Sequence, residues 1–254
     1  YLVEEVLDRQ TDQVRAFLQR TAVLDRLSGA LCDAVTGGTG GKAMLEQLDR
    51  SNLFLVALDD RRQWYRYHHL FGDVLRARLS DEQPEIIGEL HRRASEWYAA
   101  TGETTAAVEH AIAGGHVVEA ARLIELAAPL LRQTRQEGTL RRWLEALPDD
   151  VFADRPVLAI SLVGARMASG ATDDVERLLR LVETTLERSD PPPIVFDREM
   201  FDRLPAQVAI QRAGLSLLAG DLDATIAHAS RVFDLVEPDD HLRRGEASAL
   251  IALA

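Results

Sequence analysis

Cysteine is almost absent. Cys32 is the only one in 254 residues, which excludes an intrachain disulfide and a thiolate metal site and fits a reducing, cytoplasmic compartment. Long apolar runs are missing too: none approaches the roughly 18 residues that suggest a membrane span. Positive charge is in short supply, with 29 Lys and Arg against 41 Asp and Glu and a net charge of −12. A segment this acidic is not built to neutralise phosphates over a broad surface, so direct nucleic-acid binding by it is not expected. The first ten residues, YLVEEVLDRQ, are acidic and helical in pattern, unlike a signal peptide. The last nine, EASALIALA, form helix without a cap or polar tail, so both ends read as cuts within a longer protein.

The composition that remains, 46% hydrophobic and 28% charged, is that of a soluble globular chain with room for one large or two ordinary domains. Most of it carries helical periodicity. Val14, Phe17 and Leu18 form one stripe after a cap at Thr11 or Asp12, and Leu2, Val3, Val6 and Leu7 form another before it. Ser28 is placed to cap a short helix through Ala34, and the Gly37–Gly41 loop precedes a helix carrying Met44, Leu45 and Leu48.

One stretch breaks the helical pattern. The apolar run Leu53-Phe54-Leu55-Val56 leads through the charged turn Asp59-Asp60-Arg61-Arg62 into the aromatic alternation Trp64, Tyr65, Tyr67. At His68-His69 the pattern turns helical again, with Leu70, Val74, Leu75 and Leu79. A β-hairpin between helices outlines a winged helix over residues 1–81.

Residues 82–150 read as a helical linking segment. Its apolar positions include Leu90, Ala94, Trp97 and Tyr98, then Ala120 to Ala127, and it closes on Trp143, Leu144 and Leu147. Gly102 and Gly114-Gly115 mark turns between helices. Residues 151–254 contain an internal repeat: a helix end, Gly170 and the acidic Asp173 align with a second helix end, Gly220 and Asp223. The spacing from Val208 to Leu242 is close to the ~34-residue period of tetratricopeptide repeats. Pro191-Pro192-Pro193 interrupts the array as a non-helical insertion. The fold expected is mainly α: a winged helix with one hairpin, then a TPR-like array cut at its C-terminus.

No residue pattern supports catalysis, so the segment is expected not to be an enzyme. The loop Thr36-Gly37-Gly38-Thr39-Gly40-Gly41-Lys42-Ala43 lacks the first glycine and the Ser/Thr of a phosphate loop and reads as a flexible interhelix connection. Cys32 lies beside Leu31 and Val35 and suits core packing better than reactivity. Spacing alone favours a structural His68-His69, one ring capping the following helix and the other packing on the hairpin, with no metal expected.

Three stretches, Phe17 to Gly37, Met44 to Phe71 and Leu90 to Gly115, resemble the large MalT-like, ATP-dependent regulators of the LuxR type, a branch of the signalling NTPases. The resemblance implies a sensor segment that couples a small-molecule inducer or a partner protein, bound on the helical array, to a nucleotide switch. An upstream nucleotide-binding module would hold ATP or ADP, and no cofactor is expected in this segment. It further implies that Tyr67-His68-His69-Leu70-Phe71-Gly72-Asp73 matches a Met-His-Asp motif, departing at Tyr67 and His69, with His68 as a sensor of the ADP β-phosphate. Two alternatives stand beside it: the sensor segment of a kinase-linked regulator, and a TPR-like protein-interaction scaffold without a nucleotide role.

Overall fold

The computed structural model describes residue 7 and residues 9–51, 54–188, 190 and 192–254. Leu2, Val3, Val6, Leu53 and Pro191 lie outside the described residues. The chain divides into two compact units, residues 1–116 and 117–254.

In the first unit, α1 (Asp12–Thr21) starts at Thr11, whose hydroxyl accepts from the Val14 amide. Ser28 caps α2 (Gly29–Thr36) through the Leu31 amide. The glycine loop then turns the chain into α3 (Gly41–Arg50). This loop is a built turn, not a flexible one. Gly37 closes α2 at φ 71° and Gly40 opens α3 at φ 92°, conformations that L-residues with a Cβ avoid. The Gly41 amide is held by the Asp33 carboxylate at 2.7 Å, and a Cβ on Gly41 would stand 2.6 Å from the Gly29 carbonyl. Glycine here lets two helices touch.

The hairpin follows as β1 (Leu55–Ala57) and β2 (Tyr65–Tyr67), paired antiparallel with Leu55 opposite Tyr67 and Ala57 opposite Tyr65. On its other edge β2 bridges Leu27, each backbone donating to the other (Leu27 N to Tyr65 O 2.7 Å, Tyr65 N to Leu27 O 2.9 Å). This order of helix, bridge, two helices and wing is the winged-helix plan. The bridge at Leu27 carries no strand signal in the sequence, because one residue cannot show alternation.

Helix α4 (His69–Glu82) buries Phe71, Leu75 and Leu79. Leu70, expected on that stripe, is 61% exposed, because the buried face runs through 71, 75 and 79 at helical spacing. Helices α5 (Pro84–Ala100) and α6 (Thr104–Ala113) complete the unit. They pack with the winged helix: Arg93 donates to the Val35 carbonyl at 3.2 Å, and Trp97 meets the wing residue Trp64 edge-on at 6.3 Å. Residues 82–116 therefore fold with the hairpin, whereas the sequence pattern groups them with residues 117–150.

The second unit holds α7 (Val117–Gln133), α8 (Glu137–Glu145), a 3₁₀ turn (Asp149–Phe152), α9 (Pro156–Ser169), α10 (Val175–Glu187), α11 (Arg198–Asp202), α12 (Leu204–Leu218), α13 (Leu222–Leu235) and α14 (His241–Leu253). The buried stripe of α10 is Val175, Leu178, Leu179 and Val182, as its periodicity requires. In α13 the buried side is Thr225, Ala229 and Val232, while Ile226 is 41% exposed. Ala209, Ala213, Ala229 and Ala247 form the floor where α12, α13 and α14 meet. The described part of the insertion is anchored: the buried Glu125 carboxylate accepts the Phe196 and Asp197 amides at 2.7 and 2.9 Å, and Ile194 N donates to Asp154 O at 2.8 Å.

One turn recurs along the helices. At Gly170 and Gly220 the paired bonds of a Schellman motif close the helix: Ala171 N to Arg166 O and Asp221 N to Ser216 O, both 3.0 Å. The same bonds occur at Gly102 and Gly115, in the first unit, and at Arg135. Among these five turns of the described residues, Arg135 alone adopts a positive φ (56°) with a side chain. Removing its Cβ relieves about 1–2 kcal/mol of left-handed strain, offset by the ~0.5–1 kcal/mol of extra chain entropy that glycine loses on folding. Arg135→Gly is expected to stabilise the chain by about 0.5–1 kcal/mol, and Gly220→Ala to destabilise it by a similar amount, both read from urea midpoints.

Candidate functional site

The wing is organised by one carboxylate. Asp59 accepts the Gln63 and Trp64 amides at 3.0 and 2.7 Å, and these bonds, the Gln63 amide first, hold its carboxyl below the usual range. The charged turn expected from the sequence is therefore an Asx-type turn with Asp59 as its centre. Arg62 is drawn to φ 51°, and its guanidinium donates to Asp49 of α3 at 2.6 Å.

Strand alternation then sorts the side chains. Tyr65 and Tyr67 point inward and are buried. Tyr67 shares a 2.7 Å hydrogen bond with Thr21, and burial raises its phenol pKa. Its ring meets Phe71 edge-on at 5.7 Å, and Phe71 stacks on Phe54 at 4.9 Å. Val56 and Arg66, paired across the strands, are exposed.

His68 follows on the outward side. Its amide donates to the Phe54 carbonyl at 2.7 Å and its carbonyl accepts the Gly72 amide at 2.9 Å. The residue thus occupies the N-cap of α4 through its backbone, but its side chain makes no capping bond. Both His68 and His69 are exposed, their rings 4.5 Å apart. The structural role expected from spacing, one ring capping and one packing, is not what the fold builds. Alternation sends ring 68 away from the core, and ring 69 lies on the exposed first turn. Asp73, the last position of the matched motif, is exposed and pairs with Arg76 at 2.7 Å.

Other histidines are enclosed by the fold, with His110 buried and His91 and His116 half-buried. His91 on α5 and His110 on α6 face each other with Nδ1 atoms 2.9 Å apart, His110 stacks on Tyr98 at 5.4 Å, and His116 contacts the Gly88 carbonyl at 2.8 Å. Burial, then the neighbouring ring, pushes the His110 imidazole down to about 4, and burial with His116 lowers His91. Beside them Arg26 lies over Trp64 at 4.4 Å and pairs with Glu103 at 2.8 Å. No sequence motif marks this pair: nineteen residues separate the rings, and only the α5–α6 hairpin brings them together. Among the described residues no group of three His, Cys, Asp or Glu could hold a metal. Cys32 is buried, and burial pushes its thiol up to about 12. No helix of the described residues is long and apolar enough to cross a membrane.

On α3, Lys42 lies 4.0 Å from Glu46, and Asp49 takes Arg62.

Comparison with known proteins agrees with this plan. Residues 3–87 match the family model of the MalT winged helix domain. The chain is 31% identical over 256 residues to the serine/threonine-protein kinase PknK of Mycobacterium tuberculosis, covering 100% of this chain. It is 34% identical over 210 residues to the HTH-type transcriptional regulator MalT of Yersinia enterocolitica, and equally to that of Yersinia pestis, covering 83% of this chain. The chain spans 23% of the length of each of these relatives.

His110 also makes the first unit sensitive to acid. Its folded pKa lies below the unfolded value near 6.5, so the unfolded chain binds the extra proton first. Its contribution is complete above about pH 6.5 and is lost as pH falls toward about 4, on the order of 2–3 kcal/mol. Urea unfolding followed by tryptophan fluorescence is expected to show this loss, and His110→Phe to flatten it.

Proposed function

We propose, for a chain that belongs to the MalT-like regulators through its winged helix domain, that it is a regulatory and sensor segment. In this reading it couples binding on its helical array to a nucleotide switch in the parent protein. The observation that carries it is the exposed His68-His69 corner at the start of α4. A core or capping histidine would be buried or bonded, and these two are neither. The first-turn amides of α4 give that end a partial positive charge, so the corner suits a diphosphate.

The chain departs from the motif at Tyr67 and at His69, which stands where the motif has aspartate. An ADP β-phosphate held by an upstream nucleotide-binding module would meet the His68 ring through a charge-assisted hydrogen bond. Loss of that contact on rotation of the winged helix would bias a two-state equilibrium. The TPR-like helix pairs of the second unit would take the small-molecule inducer or partner protein, and a LuxR-type domain elsewhere in the parent protein would read DNA. Such a parent protein would work in the cytoplasm.

A second reading is favoured by the PknK relative, whose likeness runs over the whole chain: the same segment would regulate a linked kinase. The nucleotide corner has the same role in both readings, and the domain attached in the parent protein separates them.

The test uses the parent protein with its nucleotide module. His68→Ala is expected to speed ADP release roughly ten- to hundredfold, the worth of one hydrogen bond to a charged group, measured by chase of a fluorescent ADP. An unchanged release rate would remove His68 from the switch.

A further inference from the structure

A cleft of 720 Å³ opens beneath the wing, lined by residues from α2 (Gly29, Asp33), α3 (Lys42, Glu46, Asp49, Arg50) and the turn before β2 (Arg61, Arg62), with Tyr65 among the residues of its wall. Its volume falls within the ~300–1,000 Å³ range of small-molecule sites. It lies within the first unit and does not include the His68 corner.

Two observations show unmet bonding capacity in this cleft. Tyr65 is 2% exposed and its hydroxyl, fully withdrawn from solvent, has no hydrogen-bond partner in the protein. Buried hydroxyls are almost always satisfied, and an orphan calls for an explanation. Its neighbour Tyr67 shows the ordinary arrangement, with Thr21 at 2.7 Å. Tyr65 is one of the residues that line the cleft, beside Asp49, Arg62 and Glu46.

The second observation is a charge imbalance. Each carboxylate of the cleft is engaged: Asp33 by the Gly41 amide at 2.7 Å, Glu46 by Lys42 at 4.0 Å, and Asp49 by Arg62 at 2.6 Å. Among the described residues Arg50 and Arg61 form no ion pair within 4 Å, although Asp59 lies in the field of Arg61. Both guanidiniums line the one cleft and are exposed. Arg62 adds strain: it sits at φ 51° and so ties the wing to α3 from the left-handed region, a cost that clusters at binding sites.

We propose that this cleft binds a small organic anion, which offers a hydrogen-bond acceptor to the Tyr65 hydroxyl and its charge to Arg50 and Arg61. Guanidiniums take carboxylates and phosphates alike through paired N–H bonds, so the class covers both. A polyanion such as DNA does not fit, because Glu46 and Asp49 line the same surface and repel an extended phosphate chain. A compact anion meets the arginines without crossing them.

The experiment titrates the 254-residue chain with citrate, pyrophosphate and glucose 6-phosphate at constant ionic strength, by calorimetry and by the fluorescence of Trp64 beside Tyr65. Saturable binding of citrate alone, or of the two phosphates, identifies the anion. Arg50→Ala with Arg61→Ala is expected to weaken it by at least about tenfold. Both positions are exposed, so the double variant retains the fold. Tyr65→Phe is expected to act in opposite directions: it weakens binding severalfold and raises the Tm of the free chain, because it deletes an unsatisfied buried hydroxyl. The proposal is overturned by absence of saturable binding for all three anions, by a response that sodium chloride reproduces, by an unchanged affinity in the double arginine variant, or by a lower Tm for free Tyr65→Phe.

Discussion

The first unit depends on the pair of backbone hydrogen bonds between Leu27 and Tyr65. They make β2 the middle of a three-segment ladder, with β1 on one edge and the Leu27 segment on the other. Everything of functional interest hangs from that strand by alternation. Tyr67 reaches inward to Thr21, Tyr65 walls the cleft, and Trp64, one residue earlier, meets Trp97. His68, one residue later, emerges at the start of α4. A shift of one residue in this ladder would exchange the buried and exposed sets together, so the register decides which histidine is available and which tyrosine is buried.

The second unit obeys a different constraint. Three of its helices end in one kind of turn, at Gly170 and Gly220 with glycine at the left-handed position and at Arg135 with a side chain there. Alanines at the contact positions of α12, α13 and α14 allow close approach, and large side chains remain at the margins. Leu218, Leu242 and Leu253 are each more than 60% exposed, as helix ends in a stacked array expose them. The insertion between α10 and α12 is held by a buried carboxylate that spends one oxygen on two amides.

Much of this was legible in residue pattern. The caps at Thr11 and Ser28, the turn residues Gly102, Gly170 and Gly220, the hairpin and the buried stripe of α10 all follow from local rules, because each rests on contacts within a few residues. The unexpected features rest on distant ones. Leu27 joins a strand 38 residues away, His91 finds His110 across a helical hairpin, and Leu70 sits one step off the buried stripe. Residues 82–116 pack on the winged helix because Arg93 and Trp97 find partners there. Periodicity reports a face, but not the neighbour that will cover it.

The sequence by itself determined that the chain is helical with one wing, that it is acidic, and that a histidine pair sits at the hairpin's end. Each of these is written in composition or in period. Tertiary structure alone decided that this pair stays in solvent while His110 is buried against a half-buried His91, and that the Tyr65 hydroxyl is left without a hydrogen-bond partner in the wall of a cleft. Burial and partnership are relations between distant residues, and no local pattern contains them.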